Sequence, residues 1–413
     1  MSNNDNEQFD LNELEDRRGQ GGLGDSTVQG TTEAADAIDG HLEHDPAEAV
    51  GRGEGVGEAI EVEGLSQGKI VLRRFVRHIG ALFGLATIII IALLSFLTMG
   101  IGGIDGLWHV QDPNSTPPVV NGGRPTLGLP TWLGGDGFQI GPYPFGQNTI
   151  GNDNFAQVMT GIQTSLIVMF VLGVVVLLIG TTIGSLSGYY RGKLDNVLMR
   201  FTDLVITLPV IVLGAVLGKM IYTLPTKWGW SDETKALIQR WMPVELALAL
   251  GLILWPGLAR LVRSEFLSLR EREFVDSARV AGATNFRIIT KHILPNTMGV
   301  IVVNITLLMS ASVVLETALS FLGFGINYPS ISLGGLISAN QSAFDTRPWL
   351  FWWPGIFIIL LALSVNFIGD GLRDAFDPRT KRVPSQRKLD RAAHRAHMDT
   401  RTTTATASGL GGN

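Results

Sequence analysis

Between two long apolar runs lies the stretch 276–295, Asp-Ser-Ala-Arg-Val-Ala-Gly-Ala-Thr-Asn-Phe-Arg-Ile-Ile-Thr-Lys-His-Ile-Leu-Pro, whose charges and central glycine suit it to gripping a soluble partner. Just ahead of it, Ser268-Leu269-Arg270-Glu271 has capping-box spacing, in which the Ser hydroxyl and the Glu carboxylate satisfy backbone donors left free at a helix start. A helix is therefore expected from about Leu269. Phe274, Val275, Ala278 and Ala281 supply its apolar stripe, with Arg272, Asp276 and Arg279 on the polar flanks. Gly282 offers the left-handed conformation that commonly ends a helix, Thr284 can cap a second short one, and Pro295 is expected to close it. A positively charged, solvated membrane loop is the plainer account of the same residues.

Residues for bond-making chemistry are scarce. Gly64-Leu65-Ser66-Gln67-Gly68-Lys69-Ile70 approaches a phosphate-binding loop but is one residue short between its glycines and lacks the Ser or Thr that would hold magnesium. The glycines of Gly51-Arg52-Gly53-Glu54-Gly55-Val56-Gly57 follow no apolar strand and have the wrong spacing for a dinucleotide loop. His41, His44, His394 and His397 fall in polar tails, and His78, His109 and His292 are scattered at the ends of apolar runs, so no metal site is expected. No catalytic residue is assigned, and the chain is not expected to hydrolyse nucleotide by itself.

One carboxylate stands out. Glu316 lies well inside an apolar run, while Asp370 and Glu245 sit at the ends of two others. A charge at the centre of a membrane helix costs about 2.5–3.5 kcal/mol on insertion scales, so such residues usually mark pathways or partners. An ion-coupled carrier would show several of them converging with broken helices at mid-membrane. Glu316 is therefore expected to bond to a neighbouring helix, with an intramembrane polar site for transport as the other account.

The elements that must position these residues are membrane helices. The chain of 413 residues is 46% apolar, and its mean hydropathy is positive. Six runs reach the ~20 residues that span a bilayer: 79–101, 164–186, 204–221, 244–262, 298–322 and 350–368. Lys69, Arg73, Arg74 and Arg77 precede the first, and Arg191, Lys193 and Arg200 separate the second from the third. Arg263, Arg270, Arg272, Arg279, Arg287 and Lys291 follow the fourth, and Arg373, Arg379, Lys381 and Arg382 follow the sixth. Segments 105–153, 219–240 and 323–347 carry no basic excess. Because Lys and Arg are retained in the cytoplasm, both termini are expected inside. There is no cysteine, so the outer loops must hold their shape without disulfides.

Residues 1–68 are acidic and nearly free of aromatics, and are expected to form a disordered cytoplasmic extension. Then come a basic flank and first span (69–102), an extracytoplasmic loop (103–160) punctuated by Pro117, Pro118, Pro125 and Pro130, a core of five spans (161–376), and a basic, disordered tail (377–413). Trp228, Trp230 and Trp241 resemble an interfacial aromatic belt on the outer side.

Asp276-Ser277-Ala278, then Gly282, then Leu294-Pro295 resembles the Glu-Ala-Ala loop of ABC-importer membrane subunits, with Asp for Glu and Ser for Ala. Arg260-Leu261-Val262-Arg263, His292-Ile293-Leu294-Pro295-Asn296, Leu319-Ser320-Phe321-Leu322-Gly323 and Gly369-Asp370-Gly371-Leu372-Arg373-Asp374 narrow the likeness to the dipeptide/oligopeptide/nickel permease family, its second permease subunit in particular. The likeness covers about 73–382. It implies an all-α membrane fold, the type I ABC importer transmembrane domain, with six transmembrane helices and a cytoplasmic helix-Gly-helix coupling loop at 264–296.

By that resemblance, Asp276, Ser277, Ala278, Arg279, Gly282 and Ala283 would contact an ATPase subunit, with Ser268, Glu271 and Pro295 at the ends of the loop helices. The implied partners are a second homologous permease, two ABC ATPases that bind ATP and Mg, an extracytoplasmic substrate-binding protein and the lipid bilayer of a bacterial inner membrane. No cofactor in this chain and no nucleic acid are implied. The family's outer motif, typically Gly-Thr-Asp-x-x-Gly-Arg-Asp, reads here Gly146-Gln147-Asn148-Thr149-Ile150-Gly151-Asn152-Asp153. Aliphatic, Gly, Ser and Thr surface without a His or Met cluster favours peptides over nickel or another small solute. An ion-coupled carrier and a non-transporting membrane scaffold are the alternative classes.

Overall fold

Five of the six apolar runs each lie within one long helix in the computed structural model, which describes residues 67–100, 104–128, 137 and 139–376. The tail 377–413 and nearly all of the acidic extension 1–68 lie outside the described residues, as do Pro130 and Trp132. The described residues all belong to one compact unit, Leu65–Asn413.

A short basic helix, α1 (Gln67–Phe75), leads into α2 (Ile79–Met99), whose N-cap His78 accepts a hydrogen bond from the Ala81 amide. An irregular outer segment follows, with one two-residue antiparallel ribbon of β1 (Leu127–Gly128) and β2 (Gln139–Ile140), Leu127 opposite Ile140. The remaining elements are α3 (Asn154–Tyr190), α4 (Gly192–Thr207), α5 (Val210–Lys227), α6 (Asp232–Leu269), α7 (Glu273–Val280), α8 (Asn285–Arg287), α9 (Leu294–Phe321), α10 (Leu333–Ala339) and α11 (Trp349–Phe376). A π turn, Ile288–Ile293, joins α8 to α9, making one continuous helix over Asn285–Phe321.

Two expectations need correction. The run at 204–221 is not one span, because Pro209 lacks an amide proton and forces Leu208 into extended backbone (φ −77°, ψ 129°), ending α4 before α5 begins. The outer loop 103–160 gives up its last residues to α3, which starts at Asn154 because Asp153 caps the Phe155 amide. Between the third and fourth long helices, residues 219–242 form a helical hairpin with a turn at 228–231, where Ser231 caps α6 and Trp228 and Trp230 are exposed.

The fold is organised on α3 and α6. Gly180, Gly184 and Gly188 recur every fourth residue, placing one hydrogen-only row on a single face of α3. A Cβ at Gly184 would stand 2.5 Å from the Ala259 carbonyl oxygen, and one at Gly188 would stand 2.6 Å from the Phe266 Cβ. In a membrane, where lipid offers apolar surface as readily as a neighbouring helix does, this close approach is what makes helix pairing favourable. The core around Leu172, Leu250, Val262 and Phe266 continues to Val275, Ile288 and Ile293, so packing runs unbroken from the spans to the base of the charged loop. A second cluster on Met159, Ile162, Leu333 and Leu361 joins α3, α10 and α11.

Candidate functional site

The charged loop is an ordered hairpin. α7 carries Asp276, Ser277, Ala278 and Arg279, with Val275 fully buried and Ala278 and Ala283 packed beside it against the core. Ala283 N–H donates to the Ala278 carbonyl and Gly282 N–H to that of Arg279, each at 3.0 Å, the paired bonds of a Schellman ending. Gly282 takes φ +79°, which closes this ending and which a side chain would strain. Thr284 caps α8 through the Arg287 amide at 3.4 Å, as expected. Asp276 and Arg279 pair at 3.0 Å, and the Ser277 hydroxyl donates to the Glu273 carbonyl.

The predicted helix ends differ. Ser268 and Leu269 are the last residues of α6, and Arg272 precedes α7 without a side-chain cap, so the capping box does not form. The packing of Phe266 on Gly188 carries α6 into the box as far as Leu269, and Glu271 pairs instead with Arg191 at 2.9 Å. Pro295 closes nothing. It lies in the first turn of α9, where the π turn shifts the Leu294 N–H to the Ile289 carbonyl and lets the helix run on. Of the expected apolar stripe, Phe274 is 40% exposed and Ala281 is exposed, while Val280 and Phe286 are 90% and 75% exposed. The hairpin thus presents apolar side chains around its paired charges.

Behind the hairpin is a polar cluster that no local motif announced. The Tyr189 hydroxyl donates to Asn285 Oδ1 at 2.8 Å, its carbonyl accepts from Arg270 Nη1, and its ring lies 6.0 Å from that guanidinium. Asp195 of α4 accepts from Arg263 Nε and Nη2 at 2.6 and 2.7 Å and from the Ser187 hydroxyl. The Arg263 hydrogen bond holds the Asp195 carboxyl below its usual 3.8, with Ser187 acting the same way against a partial opposing effect of burial. Arg260 and Asp203 pair at 2.5 Å. The end of α3, both helices bordering the loop and α4 are thereby joined at the hairpin's root.

Glu316 is fully buried and far from this cluster in sequence. Ser320 donates to its Oε1 at 2.8 Å and Ser165 of α3 to its Oε2 at 3.1 Å. As expected, it bonds to a neighbouring helix. Asp370 is exposed.

The outer motif is turned inward. Gln147 and Asp153 are fully buried, and Asn152 nearly so. Gln147 bonds Gly151, Pro118 and Val120; Asn152 Nδ2 donates to the carbonyls of Asn114 and Ser115; Trp108 Nε1 donates to Asp153 Oδ2 at 2.7 Å. These residues order the proline-rich segment without disulfides.

Residues 180–382 match the family described as binding-protein-dependent transport system inner membrane component, and residues 66–117 match the N-terminal TM domain of oligopeptide transport permease C. The oligopeptide transport system permease protein OppC of Mycobacterium tuberculosis is 32% identical over 76% of this chain and 96% of its own length. The OppC protein of Haemophilus influenzae is 32% identical over 78% of this chain and 92% of its own. An inward-facing MetNI methionine ABC transporter aligns with a TM-score of 0.40 at 21% identity, over 54% of this chain and 97% of that one.

Proposed function

Because this chain belongs to the OppC-type family of binding-protein-dependent inner-membrane permeases, we propose that it forms half of the translocation path of an ATP-driven importer for di- or oligopeptides. In this reading it acts beside a second homologous permease, two ABC ATPases and an extracytoplasmic substrate-binding protein. It carries out no catalysis itself, and ATP and Mg are bound by the ATPases. Both termini lie in the cytoplasm, as the alternation of basic loops supports.

The observation that carries the proposal is the rooted hairpin. α7 offers Asp276, Ser277 and Arg279 with exposed Phe274 and Val280, while its far side is packed onto the same core as α3 and α6. A push on α7 from a closing ATPase pair is then delivered to two packed spans as rigid-body motion, which would switch a central cavity between outward and inward access. The peptide substrate is supported by the names of the relatives.

The test is to tag the full chain, extract it in mild detergent and identify what co-purifies, beside a variant carrying Gly282→Pro and Asp276→Arg. Two ATPases and a second permease are expected with the native chain and less of the ATPases with the variant. Recovery of the native chain without any ATPase, under conditions that preserve other membrane complexes, would overturn the reading.

A further inference from the structure

α1 is separated from the first span only by residues 76–78, which holds it at the bilayer surface. Helical bonding continues past its end, with Val76 N–H on the Leu72 carbonyl and Arg77 N–H on that of Arg74, both at 3.0 Å. Lys69, Arg73 and Arg77 therefore recur every fourth residue on one face. All three are exposed, and none pairs with a carboxylate among the described residues. Beside them Leu72 and Val76 form a second exposed row that leads to Ile79, 84% exposed at the start of α2.

The third side of α1 is fixed to protein. Val71 and Phe75 are half-buried, Arg74 donates to the Ala375 carbonyl at 3.4 Å, and His78 Nε2 lies 3.3 Å from Asp374 Oδ2. Gly371 of α11 meets Ala81 so closely that a Cβ there would stand 2.2 Å from the Ala81 Cβ. The anchoring leaves the cationic row and the apolar row facing outward together.

We infer that Lys69, Arg73 and Arg77 form a binding row for the headgroups of anionic phospholipids, with Leu72, Val76 and Ile79 seated among the acyl chains. Arginine suits a phosphodiester because its planar fork can donate two parallel bonds. The adjoining apolar row selects a lipid over a free phosphate, since only a lipid satisfies both rows at once. Because α1 is tied to the end of α11, a bound lipid would also steady the α2–α11 pair.

The full chain would be placed in nanodiscs of phosphatidylcholine with a minor share of phosphatidylglycerol, released, and its retained lipids counted by native mass spectrometry. The native chain should retain phosphatidylglycerol well above its share, and excess inorganic phosphate should not displace it. Each cation at an anionic surface is worth about fivefold in affinity, so K69Q/R73Q/R77Q should lose at least about tenfold of the enrichment. The charge-keeping K69R/R73K/R77K should keep most of it. Single exchanges, each expected to lower enrichment by a few-fold, carry the test if the triple variant fails to fold. No enrichment in the native chain, displacement by inorganic phosphate, or enrichment unchanged on removing the charges would overturn the inference.

Discussion

The hydroxyl of Tyr189, in the last turn of α3, donates at 2.8 Å to the amide oxygen of Asn285, the first residue of the helix that leaves the charged hairpin. The same tyrosine meets Arg270, at the end of the helix that enters it, through both carbonyl and ring. One residue of α3 thus holds both ends of α7's support. Tyr189→Phe removes only the hydroxyl bond, worth about 0.5–1.5 kcal/mol, and keeps the contact with Arg270. With the ATPases still bound, peptide delivered per ATP hydrolysed by the reconstituted importer should fall, and Asn285→Ala should add little to the same defect. An unchanged ratio would mean that the bond carries no stroke.

Asp195 and Arg263 tie α4 to α6, and their bidentate pairing carries a pH signature. The folded carboxyl has a depressed pKa, so its stabilisation is complete above the ordinary value of 3.8 and is lost as pH falls through the lower folded value. Asp195→Asn should cost about 1.5–3 kcal/mol near neutral pH, since the half-buried guanidinium loses its charged acceptor. Thermal unfolding in detergent should show the native protein and the variant converging as the solution is acidified below 3.8. A gap that stays constant into that range would show that the ionised form of Asp195 is not the source of the loss.

Glu316 separates a structural carboxylate from a transporting one. Its oxygens accept serine hydroxyls from α3 and from its own helix, which ties α9 to α3. Glu316→Gln keeps an acceptor oxygen and should leave folding and uptake near native. Glu316→Leu strands the Ser165 donor and should destabilise by about 1–3 kcal/mol in thermal unfolding. Should Glu316→Gln fold and assemble normally yet abolish uptake, the structural account fails and an ion-coupled step gains support.

What was legible in sequence follows from range. The spans could be read because twenty-odd apolar residues have a local cause, as could the Gly282 ending and the Thr284 cap, which are set within six residues. The capping box misled because Ser-x-x-Glu also occurs in a helix that tertiary packing prolongs, here through Phe266 on Gly188. Pro209 carried the break between α4 and α5 in plain view, but its apolar neighbours masked it in a hydropathy window. Pro295 obeyed the same rule of chemistry with the opposite result, since a π turn can absorb a proline that a regular α-helix cannot. The Gly180, Gly184 and Gly188 row shows only as a spacing of four, and its meaning depends on a partner helix that no local pattern names. Tyr189 and Asn285 had no local sign at all, because their meaning depends on α3 reaching a loop 96 residues away.

The outer motif gives a last prediction, in which burial and capping oppose each other at one residue. Asp153 caps α3 and accepts from Trp108, yet its burial pushes the carboxyl above 3.8, only partly offset by those hydrogen bonds. A raised folded pKa means that this carboxyl's contribution is complete below 3.8 and declines as pH rises through the folded value. Asn is as good a helix cap as Asp, so Asp153→Asn should match the native protein in acid and equal or exceed its stability near neutrality. Asp153→Ala should lose about 1 kcal/mol of capping, with a further loss because the Trp108 N–H is left without its acceptor. Thermal unfolding of the three proteins across this range decides the point. If Asp153→Asn proves as damaging as Asp153→Ala at neutral pH, the charge itself is needed, and the motif does more than hold the outer segment in place.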